Sequence, residues 1–416
     1  MINHSALSQG WQSLTSIGVF LFFALTFGIP SGYSYGAAFL LLVSLAFLIT
    51  RPSLRPSTED KALVYLLLAF FLVSLLAFFV HGNAPKTLDQ SSRYLLFVPV
   101  LFLILRIAPA SPMLWGGLLI GVGSALLLAL WQRLALGNFR PDGYMTSAIP
   151  FGNLSLMAGI LCLTGITWAG SQARYAVLWK IALCAGFVAG LYVSLLSGSR
   201  GGWLTIPVVL IIFFVAFFKK SKLKPVVIGA PLLLAVVVAV GASMQHQIMD
   251  RYEAAMTELN EYVANQNSST SVGIRLEAWR AAIVNISEKP LLGWSHKDYD
   301  ARLKEMAAHN KANASITSLA NTHNNFLEIW VHQGLLGLLA FLALFIVPFW
   351  FFCKRLRSKD PTVQAFALGG ACLLACFFIF GLTQVILGRN NGVIFFGLTL
   401  IIFWGSMRNA EQRISG

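Results

Sequence analysis

The sequence predicts an all-α polytopic membrane protein with about twelve transmembrane helices and one large helical loop between helices 9 and 10. Three observations lead there. Hydrophobic residues make up 57% of the chain and charged residues 11%, a balance foreign to water-soluble domains. Apolar runs long enough to cross a hydrocarbon core recur from end to end. One long polar stretch, 244–325, interrupts them. Backbone polar groups in lipid must be satisfied internally, and unbroken runs such as Leu204–Phe218 lack the alternation of a barrel strand.

Taken in order, the runs predict helices at 12–30, 33–50, 62–80, 92–108, 113–131, 148–169, 175–196, 203–218, 224–243, 326–352, 362–387 and 392–408. No Lys or Arg precedes Arg51, so the first run lacks the basic start of a cleavable signal and is expected to be retained. The chain thus divides into a helical region at 1–243, the loop at 244–325, and helices with a short tail at 326–416.

Within the loop, Ile248, Tyr252, Met256 and Leu259 mark one face of a helix over 245–266, and polar residues at 265–271 break it. A second helix over 274–287 aligns Leu276, Trp279, Ile283 and Ile286, with Arg275 and Arg280 on different faces. Lys289-Pro290-Leu291-Leu292-Gly293-Trp294 reads as a stop and turn, and a third short helix covers 298–309. Such a cap is too small for an independent catalytic domain. The five cysteines lie in or beside the spans, and Cys372 and Cys376, one helical turn apart, read as buried small residues.

The net charge of +14 is explained by where the cations lie. Lys and Arg cluster in alternate short loops: at 51–61, 174–180, 219–224, 354–359 and 408–413. The positive-inside rule makes these loops cytoplasmic, with both termini inside and the long loop outside. The loop mixes both signs of charge, so nothing resembles a nucleic-acid patch.

A second set of cations falls on the outer side, where topology does not require them: Lys86, Arg93, Arg133, Arg140, Arg200 and Arg389, with Arg275 and Arg280 in the loop. Snorkelling to headgroups would account for any one of them. As a set they suit an anionic ligand, because a guanidinium donates two hydrogen bonds at once and keeps its charge when partly buried. The glycines of Ser197-Gly198-Ser199-Arg200-Gly201-Gly202-Trp203 would let backbone amides approach the same anion. This is no nucleotide P-loop, since the Lys-Ser/Thr ending is missing.

Of the seven histidines, His323 is placed best, ahead of Asn325-Phe326-Leu327-Glu328, an Asn variant of a capping box. A helix N-terminus disfavours the protonated ring, and a neutral imidazole can accept a proton from a hydroxyl nucleophile. A capping or headgroup-binding histidine is the plainer reading of the same spacing. Asp298-Tyr299-Asp300 is a weak match to metal-binding transferases and reads better as a solvated helix face, so no metal site is expected. The spans hold few carboxylates, with Glu328 the main exception, which argues against an ion relay.

Together, Ser197-Gly-Ser-Arg200-Gly-Gly-Trp203, Arg275-Leu-Glu-Ala-Trp-Arg280, Pro290-Leu-Leu-Gly-Trp294, His323-Asn-Asn-Phe-Leu-Glu328 and Gly334-Leu-Leu-Gly337 resemble the O-antigen ligase/polymerase (Wzy-C) superfamily. The likeness is strongest over 185–345, and the length, helix count and single large loop look like its ligase branch. The resemblance implies a multi-pass glycosyltransferase of the bacterial inner membrane, with no cofactor, acting at the periplasmic face. Its donor would be O-antigen on undecaprenyl diphosphate, its acceptor lipid A–core, and its surroundings membrane lipids. By motif position it implies catalytic roles for Arg200, Arg275 and His323. Charge placement adds Arg280, Arg93 and Arg389 as substrate-binding candidates. Alternative readings are an O-antigen polymerase, a protein O-oligosaccharyltransferase, and, outside enzymes, a lipid-linked glycan transporter or flippase.

Overall fold

The computed structural model describes residues 4–218, 245–265 and 270–415. Its helices are α1 (His4–Leu25), α2 (Gly32–Ile49), α3 (Thr58–His81), α4 (Asp89–Arg106), α5 (Ser111–Leu134), α6 (Ala148–Thr164), α7 (Ile166–Ala169), α8 (Ala176–Ser197), α9 (Arg200–Trp203) and α10 (Thr205–Phe217). After the undescribed stretch come α11 (Gln245–Asn265), α12 (Ser271–Glu288), α13 (His296–Ala308), α14 (Asn325–Cys353), α15 (Pro361–Thr383) and α16 (Asn390–Ser415). No strand occurs among the described residues.

Among those residues, ten helices are long and apolar enough to cross a membrane, against the twelve expected. The predicted span at 224–243 lies outside the described residues. The first predicted span, 12–30, forms instead as α1, shifted toward the amino terminus and not among the ten. Its opening turns carry Gln9, Gln12 and Ser13, and the run ends early because Gly28-Ile29-Pro30 leads into a left-handed Ser31. The span expected at 203–218 starts at Arg200 and is divided into α9 and α10.

The middle of the bundle is α6, α15 and α16, whose spans are 89%, 78% and 83% buried. Close approach of α6 and α8 depends on glycine: a Cβ on Gly190 would lie 2.4 Å from the Ser155 carbonyl oxygen. That contact fixes the end of α8, from which Arg200 emerges. Aromatic stacking fills the interior, with Trp115 against Phe366 at 5.8 Å and Phe345 against Phe396 at 5.2 Å. Cys372 and Cys376 are fully buried, as their spacing suggested.

At one end of the bundle, ion pairs tie α3 to the ends of α14 and α16. Arg355 meets Glu59 at 2.6 Å and Glu411 at 2.5 Å. Arg408 reaches Asp60 at 3.3 Å, and the Trp404 indole N–H donates to that buried carboxylate at 2.9 Å. The other end carries the cap. There the His81 ring, closing α3, lies 2.9 Å from the Leu292 carbonyl oxygen.

The cap has its own core, in which Ala278, Ala281, Ala282 and Ile286 of α12 pack on Tyr299, Leu303 and Met306 of α13 and on Val331. Its buried face therefore differs from the predicted one: Ile283 is 58% exposed, because alanines permit the closest approach to α13 and α14. Tyr252, Met256 and Leu259 of α11 remain exposed among the described residues.

Two of the sequence motifs dock on each other. The Trp294 N–H donates to Val331 O at 2.6 Å, the Leu335 N–H to Pro290 O at 2.9 Å, and the Trp330 indole to Pro290 O at 3.1 Å. This pairing breaks α14 at Gly334, whose φ is +65° and whose missing Cβ would sit 2.0 Å from the Leu291 carbonyl oxygen. Gly334→Ala is therefore expected to destabilise the protein by roughly 1–3 kcal/mol. A thermal melt in detergent, with Gly123→Ala in open space as the control, checks this.

Candidate active site

The turn after α8 is built from small residues. Gly198 takes φ +66° to end the helix, and Ser197 and Ser199 share a 2.8 Å hydrogen bond. The Ser199 hydroxyl also lies 3.2 Å from Ala148 O, against Gly152 of α6, where a Cβ would overlap the serines. Arg200 then opens a single helical turn. Gly201 and Gly202 have a different use from the one expected. A Cβ on Gly201 would lie 2.4 Å from Thr383 Oγ1, and one on Gly202 2.5 Å from Asn153 Oδ1. They are glycines because α15 and α6 pack against the turn that carries Arg200.

Three arginines line the cavity above this turn: Arg140, Arg200 and Arg275, with Thr383 and Gln384. Arg140 comes from the loop after α5, with its Nε 3.3 Å from Ser197 O. That loop is held by Gln132, which accepts from the Gly143 N–H at 2.9 Å and donates to Asp142 at 3.1 Å. Arg275 descends from α12 in the cap. Burial lowers its affinity for the proton, and repulsion from Arg200 and Arg140 lowers it further, partly offset by Glu258. No carboxylate is among the described residues lining the cavity.

His323 sits beside this cluster in a left-handed conformation, φ +54°, which non-glycine residues hold only when their surroundings impose it. Its own N–H donates to Asn321 Oδ1 at 3.0 Å. On either side, the Trp279 indole donates to Thr322 O at 2.9 Å and the Thr322 N–H to Glu328 Oε2 at 2.8 Å. The helix cap is one residue earlier than predicted: Asn324 accepts from the N–H groups of Phe326 and Leu327, while Asn325 is buried against Gly381. Glu328 reaches back to Thr322 rather than closing the expected box, because the left-handed turn brings that N–H within reach.

The half-buried imidazole of His323 is held below its ordinary pKa of 6.5, first by burial and then by Arg275 and Arg389, while a hydrogen bond with Gln384 raises it. Its Nδ1 is buried without a hydrogen-bond partner among the described residues. A neutral ring with an unused nitrogen beside clustered cations can take a proton from a hydroxyl that arrives with an anionic co-substrate.

The remaining candidates are placed as follows. Arg389 lies near His323 and donates to the Thr146 hydroxyl. Arg93 pairs with Asp89 at 3.0 Å and donates to Asn390 at 2.8 Å, next to Arg389. Arg280 points away from the cavity, pairing with Glu277 at 2.7 Å and donating to Lys311 O at 2.6 Å. Glu277 also accepts from Tyr262 and the Asn313 N–H, so this pair braces the cap. Sequence reasoning gave no role to Gln384 or Thr383; the signal was a polar pair at the mouth of the apolar run of α15. Among the described residues no group of three His, Cys, Asp or Glu side chains is arranged to hold a metal ion.

Fold and site define a multi-pass helical membrane protein with a cationic cavity and a histidine at one end of its bundle. Known proteins share part of this chain's sequence. The family model described as O-antigen ligase (Wzy_C) matches residues 185–342, which contain Arg200, Arg275 and His323. The chain is 26% identical over 206 residues to an O-antigen ligase of Escherichia coli, covering 48% of this chain and 46% of that one. It is 29% identical over 401 residues to an uncharacterized protein of Haemophilus influenzae, covering 92% of this chain and 96% of that one. Residues 185–342 are thus similar to the O-antigen ligase family, a likeness that supports a general transferase role.

The electrostatics give a prediction of opposite signs. Arg275→Gln is expected to raise the His323 pKa by removing a repelling charge, and Gln384→Leu to lower it by removing the hydrogen bond that favours the protonated ring. NMR titration of histidine-labelled protein, with His323 assigned by its own substitution, measures both.

Proposed function

We propose that the protein is an O-antigen ligase, transferring O-antigen polysaccharide from undecaprenyl diphosphate to lipid A–core at the periplasmic face of the bacterial inner membrane. The observation that carries this reading is the convergence of Arg140, Arg200 and Arg275 on one cavity beside a histidine whose proton affinity is depressed. The reading takes the Lys- and Arg-rich loops and both termini as cytoplasmic, and the cap as periplasmic.

The reaction is metal-independent and inverting. The His323 imidazole takes the proton of the acceptor hydroxyl, whose oxygen attacks the anomeric carbon on the face opposite the diphosphate. The electron pair of the broken glycosidic bond leaves with the diphosphate, where negative charge grows. Arg200 and Arg275 stabilise that growing charge, with Arg140 beside them; such help is typically worth roughly 2.7–4 kcal/mol per well-placed donor. General-base assistance is typically worth about 100- to 10,000-fold. Arg389 contributes to the field around the donor. Arg93 and Arg280, each engaged with a carboxylate, act on binding through the helix start and the cap they brace.

The test uses purified protein in detergent, lipid-linked O-antigen and lipid A–core, with products read by mass spectrometry. His323→Ala is expected to lose about 100- to 10,000-fold in rate, and Arg200→Ala or Arg275→Ala about 100- to 1,000-fold. An undiminished rate removes the role assigned to that residue. A product still attached to undecaprenyl diphosphate would mark a polymerase, and one attached to a protein hydroxyl a protein transferase. A transporter would form no product.

A second expectation concerns pH. Because the neutral ring acts and its pKa lies below the ordinary 6.5, kcat/KM is expected to be on a plateau near neutrality. It falls only as pH drops through the depressed value, and Gln384→Leu shifts that acid limb to still lower pH.

A further inference from the structure

A second cavity, of about 100 Å³, lies on the cap side of the His323 turn and is unused by the chemistry above. Its polar lining comes from His296, Tyr299 and Asp300 of α13, Asn321 and Thr322 of the turn, and Glu328 and His332 of α14. The His296 and His332 rings stack with centroids 3.9 Å apart and planes 4° from parallel, and Tyr299 meets His332 edge-on at 5.4 Å.

Hydrogen-bond bookkeeping shows what this cavity lacks. His332 Nδ1 lies 3.2 Å from the Trp294 carbonyl oxygen, which can only accept, so Nδ1 carries the proton and Nε2 presents a lone pair. Nε2 then stands 3.6 Å from Glu328 Oε1, another acceptor, while Oε2 is taken by the Thr322 N–H. With the carboxyl ionised and the ring neutral, these are two acceptors side by side, which a hydroxyl donor placed between them satisfies. The Asp300 carboxylate at the cavity edge adds acceptors only. A hydroxyl-rich ligand supplies donors of this kind, and a phosphate does not.

The two cavities flanking His323 therefore differ in sign. Arginines line one, while carboxylates and imidazoles line the other together with Asn321 and Thr322, which directly precede His323. Asn321 itself lines the second cavity while its Oδ1 holds the His323 N–H. A diphosphate is drawn to the first cavity and repelled from the second.

We propose that the second cavity is the acceptor subsite, taking a neutral, hydroxyl-bearing terminal sugar of the acceptor glycan. Asp300, Glu328 and the Nε2 of His332 accept its hydroxyl hydrogens, next to His323. The proposal rests on the transferase reading and adds to it the side from which each substrate approaches.

Asp300→Ala, at an exposed position, tests it in the purified protein. The apparent KM for the acceptor is expected to rise about tenfold or more, as for the loss of a hydrogen bond to a charged group, with kcat and donor KM within about twofold. An unchanged acceptor KM, or a rise in donor KM instead, overturns the proposal. Should the wild-type protein form no product, the transferase reading fails separately. The cavity is then tested by saturation-transfer NMR with a neutral core oligosaccharide. Contact with wild-type protein that is lost in Asp300→Ala supports the subsite; no contact with wild-type protein, or equal contact in both, overturns it.

Discussion

Everything at this site depends on holding like charges together. Arg140, Arg200 and Arg275 share the lining of one cavity, and Arg389 acts on the neighbouring histidine. Guanidinium groups repel one another at such range, and partial burial weakens the solvent screening that would spread them apart. The bundle resists this by delivering each arginine from a separately anchored element. The Gln132 clamp fixes the loop of Arg140, the serine–glycine turn packed on α6 and α15 fixes Arg200, and the cap core fixes Arg275. A polyanion brought into this cavity would lower the repulsion among them.

The cap works as part of the same rigid arrangement. Its PLLGW turn pairs with the backbone where α14 breaks, so hydrogen bonds join the cap to the helix that follows the His323 turn. Trp279 from the cap and Glu328 from α14 grip Thr322 from two sides, while Gln384 from α15 meets the imidazole. His323 is thus held in a left-handed conformation by groups from three elements. At the far end of the bundle, Arg355 and Arg408 lock α3, α14 and α16 through carboxylates that are themselves mostly buried. Those two arginines, read from sequence as topology signals, are also structural.

The residues differ in how far sequence alone exposed them. Arg200 and His323 stand out as a charged and a titratable group at the edges of apolar runs, Arg275 stands out through its loop motif, and the motifs of all three resemble a family pattern. Arg280 carries the same formal charge as Arg275, five positions earlier on the same helix, yet points the other way. Only the position of Glu277 and the fold of 311–313 reveal that it braces the cap. Gln384 was hidden for the opposite reason: it lies far along the chain from the motifs and enters the site only through the packing of α15, whereas Arg140 stood in the sequence as one outer cation among several and the fold singled it out. The glycines beside Arg200 looked like an anion cradle, but side chains of α6 and α15 occupy the space that a Cβ would need.

Sequence by itself determined that this chain crosses the membrane repeatedly, that its polar residues gather in one cap, and which side chains carry charge near the cap. Those are one-dimensional properties, since hydrophobic run length and the distribution of Lys and Arg are enough to decide them. Only the tertiary structure decided which cations meet, that Thr322 beside His323 lines a cavity of carboxylates and imidazoles while its hydrogen-bond partner Gln384 lines one of arginines, and that burial and two arginines lower the proton affinity of its ring. Contacts between residues tens of positions or more apart set those properties, and the sequence does not encode such contacts locally.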